Sequence, residues 1–112
     1  MAVDNIKIDK GATFERNITW TDNSGTAIDL TGFTARMQIR KNYKSAIIQE
    51  LTTENGGITL TALTGEIYLL IEATDTDVFT DDRAIYDLEL INGTKVYRVL
   101  QGDVLINENV TI

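Results

Sequence analysis

The sequence contains no cysteine, no histidine and no proline. Without cysteine there is no disulfide and no thiolate nucleophile, and without histidine the commonest general base and metal ligand is missing. Only two serines are present, and neither has a histidine or a cysteine with which to form a nucleophilic triad. We therefore expect a protein that is not an enzyme and that holds neither a cofactor nor a metal. A pair of carboxylates that hydrolyses glycosides is an alternative that the residue counts do not exclude, but no spacing selects one pair among the seventeen acids.

Positive charge is also scarce. The 112 residues include ten basic and seventeen acidic side chains, which give a net charge of −7. Binding to phosphates needs a basic surface, so we expect no nucleic-acid partner. No apolar run approaches the ~20 residues of a membrane-spanning helix, and the first ten residues lack the basic and apolar segments of a secretory signal. We therefore expect a soluble chain with no membrane partner, made in the cytoplasm.

Short stretches of alternating apolar and polar residues recur along the chain between turn signals, a pattern typical of β-sandwiches and small barrels. The length allows one hydrophobic core. We predict a single all-β domain over residues 1–112, built from seven or eight mostly antiparallel strands. One short helix is predicted near residues 74–79, because Thr74 and Asp77 have the spacing of a capping pair.

The strongest local signal lies in residues 84–106, where Asn92 and Gly93 separate two alternating runs. Both residues tolerate the positive φ of a type I′ turn, so we predict a two-residue hairpin that places Asp87 opposite Arg98. Gly102 is predicted as a bulge in the second arm. One face of this hairpin would carry Tyr86, Leu88, Leu90, Tyr97 and Val99.

The N-terminal part is predicted to form one strand over residues 3–10 and a second over residues 13–21. On the second strand Arg16 interrupts an apolar face, so we expect it to pair or to extend its charge into solvent. Trp20 lies on the same face and is predicted to be part of the core. An alternative is that Trp20, Phe14 and Tyr43 form a platform that stacks on sugars.

A basic stretch in residues 36–44 contains four of the ten positive charges. Strand alternation places Arg36 and Arg40 on one outward face, followed by Lys41 and Lys44, with Tyr43 exposed in the loop. One interpretation is a face that docks on an acidic surface of another subunit. The alternative is a solvated strand face that nearby glutamates balance and that protects the strand edge.

The C-terminal segment, residues 107–112, is polar at first and then apolar, with Asn107 at its start and Val110 and Ile112 near its end. It extends past the partner strand of the predicted hairpin. We expect this segment, or the first strand, to pair with a neighbouring subunit by strand addition.

An acidic stretch in residues 74–82 raises the question of calcium. Asp75 and Asp77 match the first two ligand positions of an EF-hand loop, but Phe79 stands at the third and Thr80 at the position that needs glycine. We therefore predict a capped helical turn and a solvated acidic loop. A weaker oxygen site of irregular geometry is the alternative.

Three segments together carry a family resemblance: IDLTGFTARMQIR at 28–40, GGITLTALTGEIYLLI at 56–71, and YDLEL followed by GTKVYRVLQGDVLI within 86–106. Their order resembles that of small structural proteins of tailed bacteriophages and, more loosely, the N-terminal β-domain of phage upper baseplate proteins. The resemblance implies a tail or baseplate subunit in the virion that assembles with other virion proteins and with copies of itself. Alternatives are a capsid decoration protein and a carbohydrate-binding module in host adsorption. The resemblance supplies no catalytic residues.

Overall fold

The computed structural model describes residues 2–110 and consists of two β-sheets packed face to face. This confirms the predicted all-β sandwich. The large sheet has the strand order β1-β9-β8-β4-β5, with β2 also paired to β9, and the small sheet has the order β3-β7-β6. The strands are β1 (Ala2–Val3), β2 (Ile6–Asp9), β3 (Phe14–Thr19), β4 (Thr34–Arg40), β5 (Ile47–Thr52), β6 (Ile58–Thr61), β7 (Glu66–Ile71), β8 (Arg83–Asn92) and β9 (Lys95–Asn107).

The core lies between the sheets and follows the alternation of the sequence. Every second residue of β4, β7 and β8 is buried, which gives each strand one apolar inner face. Burial of these side chains is the main force that holds the two sheets together. The most deeply buried side chains include Ile8, Met37, Ile39, Leu51, Ile67, Leu69, Leu88 and Leu90.

The predicted hairpin between β8 and β9 forms, but its turn and register differ from the prediction. The two loop residues are Gly93 and Thr94, and Asn92 pairs with Lys95. Among the described residues only glycines have positive φ, and Gly93 has φ +62°, so Asn92 does not take the conformation that a type I′ turn requires. Arg98 consequently pairs with Glu89 rather than with Asp87.

A bulge in β9 corrects a second prediction. Leu88 pairs with Leu100 while Glu89 pairs with Arg98, so Val99 is the extra residue. The bulge therefore lies at Val99, and the prediction of a bulge at Gly102 is wrong. It moves Leu100 onto the inner face, where it is buried, whereas Val99 is only partly buried.

Gly102 has a different role from the one predicted. The predicted first strand is in fact two short strands, β1 and β2, which both run parallel to β9 and are separated at Asp4 and Asn5. At this break the Asp4 backbone crosses directly over Gly102, where a Cβ atom would lie 2.8 Å from the Asp4 carbonyl carbon. Glycine is needed at position 102 because two backbones approach each other there.

Three side chains fix this crossing to the rest of the sandwich. The hydroxyl of Tyr86 donates a hydrogen bond to the Asp4 carbonyl oxygen, and the Asp4 carboxylate forms an ion pair with Arg16 of β3. Of the two outcomes expected for Arg16, the structure shows pairing, and this ion pair joins the small sheet to the edge of the large one. Burial, with the nearby Asp4 charge, raises the pKa of Tyr86 to about 12, although Arg16 acts in the opposite direction.

This pKa predicts a loss of stability in alkali. The folded protein favours the neutral form of Tyr86. Its contribution to the free energy of unfolding is therefore complete below pH 10, which is the pKa of tyrosine in the unfolded chain, and is lost as the pH rises towards 12. At pH 11 the difference corresponds to about 1.4 kcal/mol. Urea unfolding from pH 8 to pH 11 should therefore show a steeper decline for the wild type than for Tyr86→Phe. Tyr43→Phe, at an exposed tyrosine, is the control, and a Tyr86→Phe slope equal to that of the wild type would contradict this assignment.

The predicted helix is a single turn, α1 (Ala73–Thr76), with Glu72 at its N-cap and no side-chain capping bond. It begins earlier and ends earlier than predicted, and Thr74 does not cap it. Thr76 is instead the structural residue, because it is completely buried. Its hydroxyl accepts a hydrogen bond from the Gly11 amide at 3.1 Å and donates one to the Ala12 carbonyl at 2.8 Å. The helical turn thus fixes the connection between β2 and β3.

Candidate interaction surfaces

The outer face of the large sheet carries the arginines of the predicted docking face. Arg36 forms an ion pair with Glu89 at 2.9 Å on the neighbouring strand. Arg40 donates hydrogen bonds to the Gln38 side chain at 2.8 Å and to the Ser45 carbonyl oxygen. Arg36 is balanced by a glutamate, as the alternative of a balanced strand face expects, whereas Arg40 donates to neutral groups. Docking through these residues stays a prediction.

The remaining members of the basic stretch differ in their contacts. Lys41 forms an ion pair with Asp81 at 3.4 Å, whereas Lys44 is exposed. Tyr43 is 88% exposed, in the loop between β4 and β5. Two of the four predicted cations, Arg36 and Lys41, are therefore paired with acids of this chain.

A shallow cleft of about 440 Å³ lies on the same outer face. Arg40 and Tyr43 form part of its wall, together with Ile85 of β8. Asp87 and Arg98 also line it and form an ion pair with 3.4 Å between Oδ2 and Nε, so the predicted pair exists although its register was wrong. The cleft contains charges of both signs, and this gives it no preference for an acidic or a basic ligand.

The C-terminal segment is partly used inside the chain. Asn107 is the last residue of β9, pairs with Asp9 of β2 and donates a side-chain hydrogen bond to it at 3.1 Å. Val110 is almost completely exposed, and Ile112 lies outside the described residues. The first strand and the C-terminal strand thus pair with each other, and their pairing with a neighbouring subunit stays a prediction.

An aromatic cluster, defined by Trp20, Phe33 and Tyr97, lies at the hairpin end of the sandwich. The ring centroids are 5.9 Å apart for Trp20 and Phe33, 5.6 Å for Trp20 and Tyr97, and 6.2 Å for Phe33 and Tyr97. Trp20 and Phe33 pack against the core but remain partly exposed, and Tyr97 is 39% exposed. The predicted platform with Phe14 and Tyr43 does not form, because Phe14 is buried and Tyr43 is on the outer sheet face.

Backbone pairing between distant segments brings these rings together. Tyr97 pairs with Leu90 and so points to the inner side of the large sheet, as the sequence predicted. The backbone amide of Trp20 donates a hydrogen bond to the Gly65 carbonyl oxygen at 2.9 Å, which places Trp20 beside the start of β7. Tyr97 lies near the start of β9 and is 39% exposed, so the inner face of β9 is only partly covered there. Sequence reasoning missed Phe33 and Tyr97 as a joint surface, although their positions near turns were a usable signal.

The acidic side chains of residues 74–82 are not grouped in the way that metal ligands would be. Among residues 2–110, no group of three or more acidic side chains is arranged to hold a metal ion. Asp81 is used in the ion pair with Lys41, and Phe79 is buried in the core. Within the same part of the chain, no helix is both long and apolar enough to cross a membrane.

No family model and no curated protein match the sequence. Among solved structures, the fold is similar to the extracellular domain of the voltage-gated sodium channel β4 subunit, with 13% identity, a TM-score of 0.52, and coverage of 96% of this chain and 93% of that chain. That domain forms parallel homodimers, which explain its role in cell–cell adhesion. A second neighbour comes from photo-crosslinking of multimeric cell-adhesive interactions of these β subunits, with 13% identity, a TM-score of 0.49, and coverage of 96% and 92%. At this identity the likeness shows a shared β-sandwich fold alone.

These findings correct the functional prediction. The neighbouring domains are extracellular parts of channel subunits and not phage baseplate proteins, which contradicts the predicted phage resemblance. The predicted virion location and the predicted role as a tail, baseplate or capsid subunit are wrong for the same reason, and the host-adsorption alternative goes with them. Of the predicted partners, other virion proteins have no support, whereas self-association is consistent with the homodimers of the neighbour.

Proposed function

We propose that this chain is a protein-interaction domain that associates with copies of itself and carries out no catalysis. The observation that carries the proposal is the exposed aromatic cluster at the hairpin end, formed by Trp20, Phe33 and Tyr97. Aromatic side chains are enriched at the centres of protein interfaces, because they bury a large area with little loss of conformational freedom. A partly exposed group of three is therefore a ready contact surface.

The structural neighbour supports the choice of partner. The sodium channel β4 domain has the same sandwich fold over nearly all of both chains and forms homodimers. We infer homophilic association for this chain as well. The non-catalytic part rests on residue types, because the chain has no histidine or cysteine to serve as a general base or a nucleophile.

Sedimentation equilibrium tests the proposal directly. The apparent mass should rise from 12.5 kDa towards twice that value as the concentration increases from roughly 10 μM to 1 mM. We expect a Kd on the order of 100 μM, because the cluster alone is smaller than the ~800 Å² that a standard interface buries on each partner. A constant mass of 12.5 kDa over this range would overturn self-association. Turnover of ester, phosphate or glycoside substrates by the purified chain would overturn the non-catalytic part.

A further inference from the structure

Residues of opposite charge lie on the different segments of the chain that supply the aromatic cluster. Asp22 follows Trp20 by two residues and Asp29 precedes Phe33 by four, and both are exposed. Lys95 is exposed on the side of Tyr97, two residues before it, at the tip of the hairpin. Lys95 thus lies on the large-sheet strand that carries Tyr97, which we call the basic side, whereas both aspartates lie in the connection from β3 of the small sheet to β4, which we call the acidic side.

These flanking charges are not neutralised within the chain. Among residues 2–110, Asp22, Asp29 and Lys95 form no ion pair. The Asp22 carboxylate accepts hydrogen bonds from the amides of Ser24 at 2.9 Å and Thr26 at 3.0 Å, which hold its loop in place. Asp29 accepts hydrogen bonds from the hydroxyl and amide of Thr31, and these bonds lower its pKa, so it stays ionised.

A symmetric dimer needs a surface that is complementary to itself. In a two-fold interface each contact occurs twice, because residue i of one copy meets residue j of the other and the reverse. A two-fold axis through the aromatic cluster would bring the basic side of each copy against the acidic side of the other. The rings would then be buried at the centre, and the charges would form a polar rim that sets the orientation.

We propose that the aromatic cluster is the centre of a two-fold homodimer in which Lys95 of each copy faces the loop of Asp22 and Asp29 in the other. This inference rests on the proposed self-association and names the surface that performs it. The outer-face cleft of the large sheet is the competing surface, with Tyr43 as its most exposed aromatic residue.

Matched tyrosine variants separate the two surfaces. Tyr97→Ser should raise the dimer Kd by about tenfold or more, because it removes a ring from the centre of the interface. Tyr43→Ser makes the same substitution at the cleft and should leave the Kd within about twofold of the wild type, because residues outside an interface contribute little to its stability. Circular dichroism and thermal melting establish that both variants fold. Weakening by Tyr43→Ser with no effect of Tyr97→Ser would move the interface to the cleft and overturn this inference.

Charge reversal tests the predicted contact between copies. Lys95→Glu should raise the Kd by about tenfold or more, because repulsion arises at both symmetric contacts. Asp22→Lys/Asp29→Lys should do the same alone, while an equimolar mixture of the two variants should form a heterodimer, since each contact then joins opposite charges. Asp22→Asn/Asp29→Asn keeps the carbonyl oxygens that hold the loops and should weaken the dimer severalfold without affecting folding.

The outcomes distinguish the two levels of the proposal. A wild-type chain that stays monomeric overturns the proposed function and this inference together. A wild-type dimer that none of these variants weakens overturns the inference and leaves self-association standing. Heterodimer formation in the mixture, at a concentration where each variant alone is mostly monomeric, establishes the contact between Lys95 and the acidic loop.

Discussion

Replacing Gly102 with alanine is expected to destabilise the fold by about 3 kcal/mol. The added Cβ would lie 2.8 Å from the carbonyl carbon of Asp4 and 2.9 Å from the side-chain oxygen of Asn5, so the crossing between β1 and β2 would have to move. That movement strains packing, at a cost of about 1–3 kcal/mol. It also weakens hydrogen bonds of about 1 kcal/mol each, including those from Asp4 to Gln101 and from Asp103 to Asn5.

Urea unfolding measures this loss, with Gly25→Ala as the control. Gly25 has φ +82°, but no atom lies within 4 Å of the position that a Cβ would take, so alanine there meets backbone strain alone. That strain costs about 1–2 kcal/mol. If Gly102→Ala destabilises the protein no more than Gly25→Ala does, the close approach of the two backbones is wrong.

Thr76→Val is expected to cost about 1–2 kcal/mol. Valine has nearly the same shape as threonine, so it fills the same space, but it removes the hydroxyl that joins the amide of Gly11 to the carbonyl of Ala12. The Thr76 side chain is completely buried, whereas Gly11 and Ala12 are exposed, so water replaces part of the lost bonding and the cost is that of two ordinary hydrogen bonds.

The same substitution at Thr74 provides the control, because Thr74 lies in the same helical turn but its side chain makes no capping bond. Thr74→Val should change the free energy of unfolding by less than about 0.5 kcal/mol. Equal losses at the two positions would mean that Thr74 caps the helix, as the sequence suggested, and that Thr76 has no special role.

Alternation in the sequence was enough to predict the sandwich and most of its strands. Ile67, Leu69 and Ile71 are buried as their spacing predicts, and so are Ala35, Met37 and Ile39. These predictions succeed because strand residues alternate between faces, and one face must be apolar if a sheet is to be covered. Alternation depends only on residues that are close in the sequence, so it can be recognised without knowing the order of the strands in the sheets.

Features that depend on distant parts of the chain could not be predicted. Parallel pairing of β1 and β2 with β9 joins residues such as Ala2 and Leu100, or Ile6 and Val104, and no local pattern marks it. The reason for Gly102 follows only from this pairing. The bulge at Val99 likewise depends on how β9 fits both β8 and the sandwich edge, so the register beyond Arg98 could not follow from the turn residues.

In the candidate site, too, exposed positions could be predicted from the sequence, whereas contacts between distant segments could not. The sequence pointed to charges and to Tyr43 on exposed positions, and Tyr43 is indeed exposed. The aromatic cluster could not be predicted from the sequence, because Trp20, Phe33 and Tyr97 come from three separate segments that meet only in the folded sandwich. Trp20 was predicted to be in the core, and it packs against the core while one part remains at the surface.

The most direct test of self-association through the aromatic cluster is the NMR signal of the Trp20 indole N–H during dilution. The chain contains one tryptophan, so this signal is unambiguous. Between roughly 1 mM and 10 μM, we expect its chemical shift to change along a dimer–monomer curve, while the backbone amide of Tyr43 stays constant. A Trp20 signal that does not move, in a sample whose mass shows dimerisation, would contradict the account.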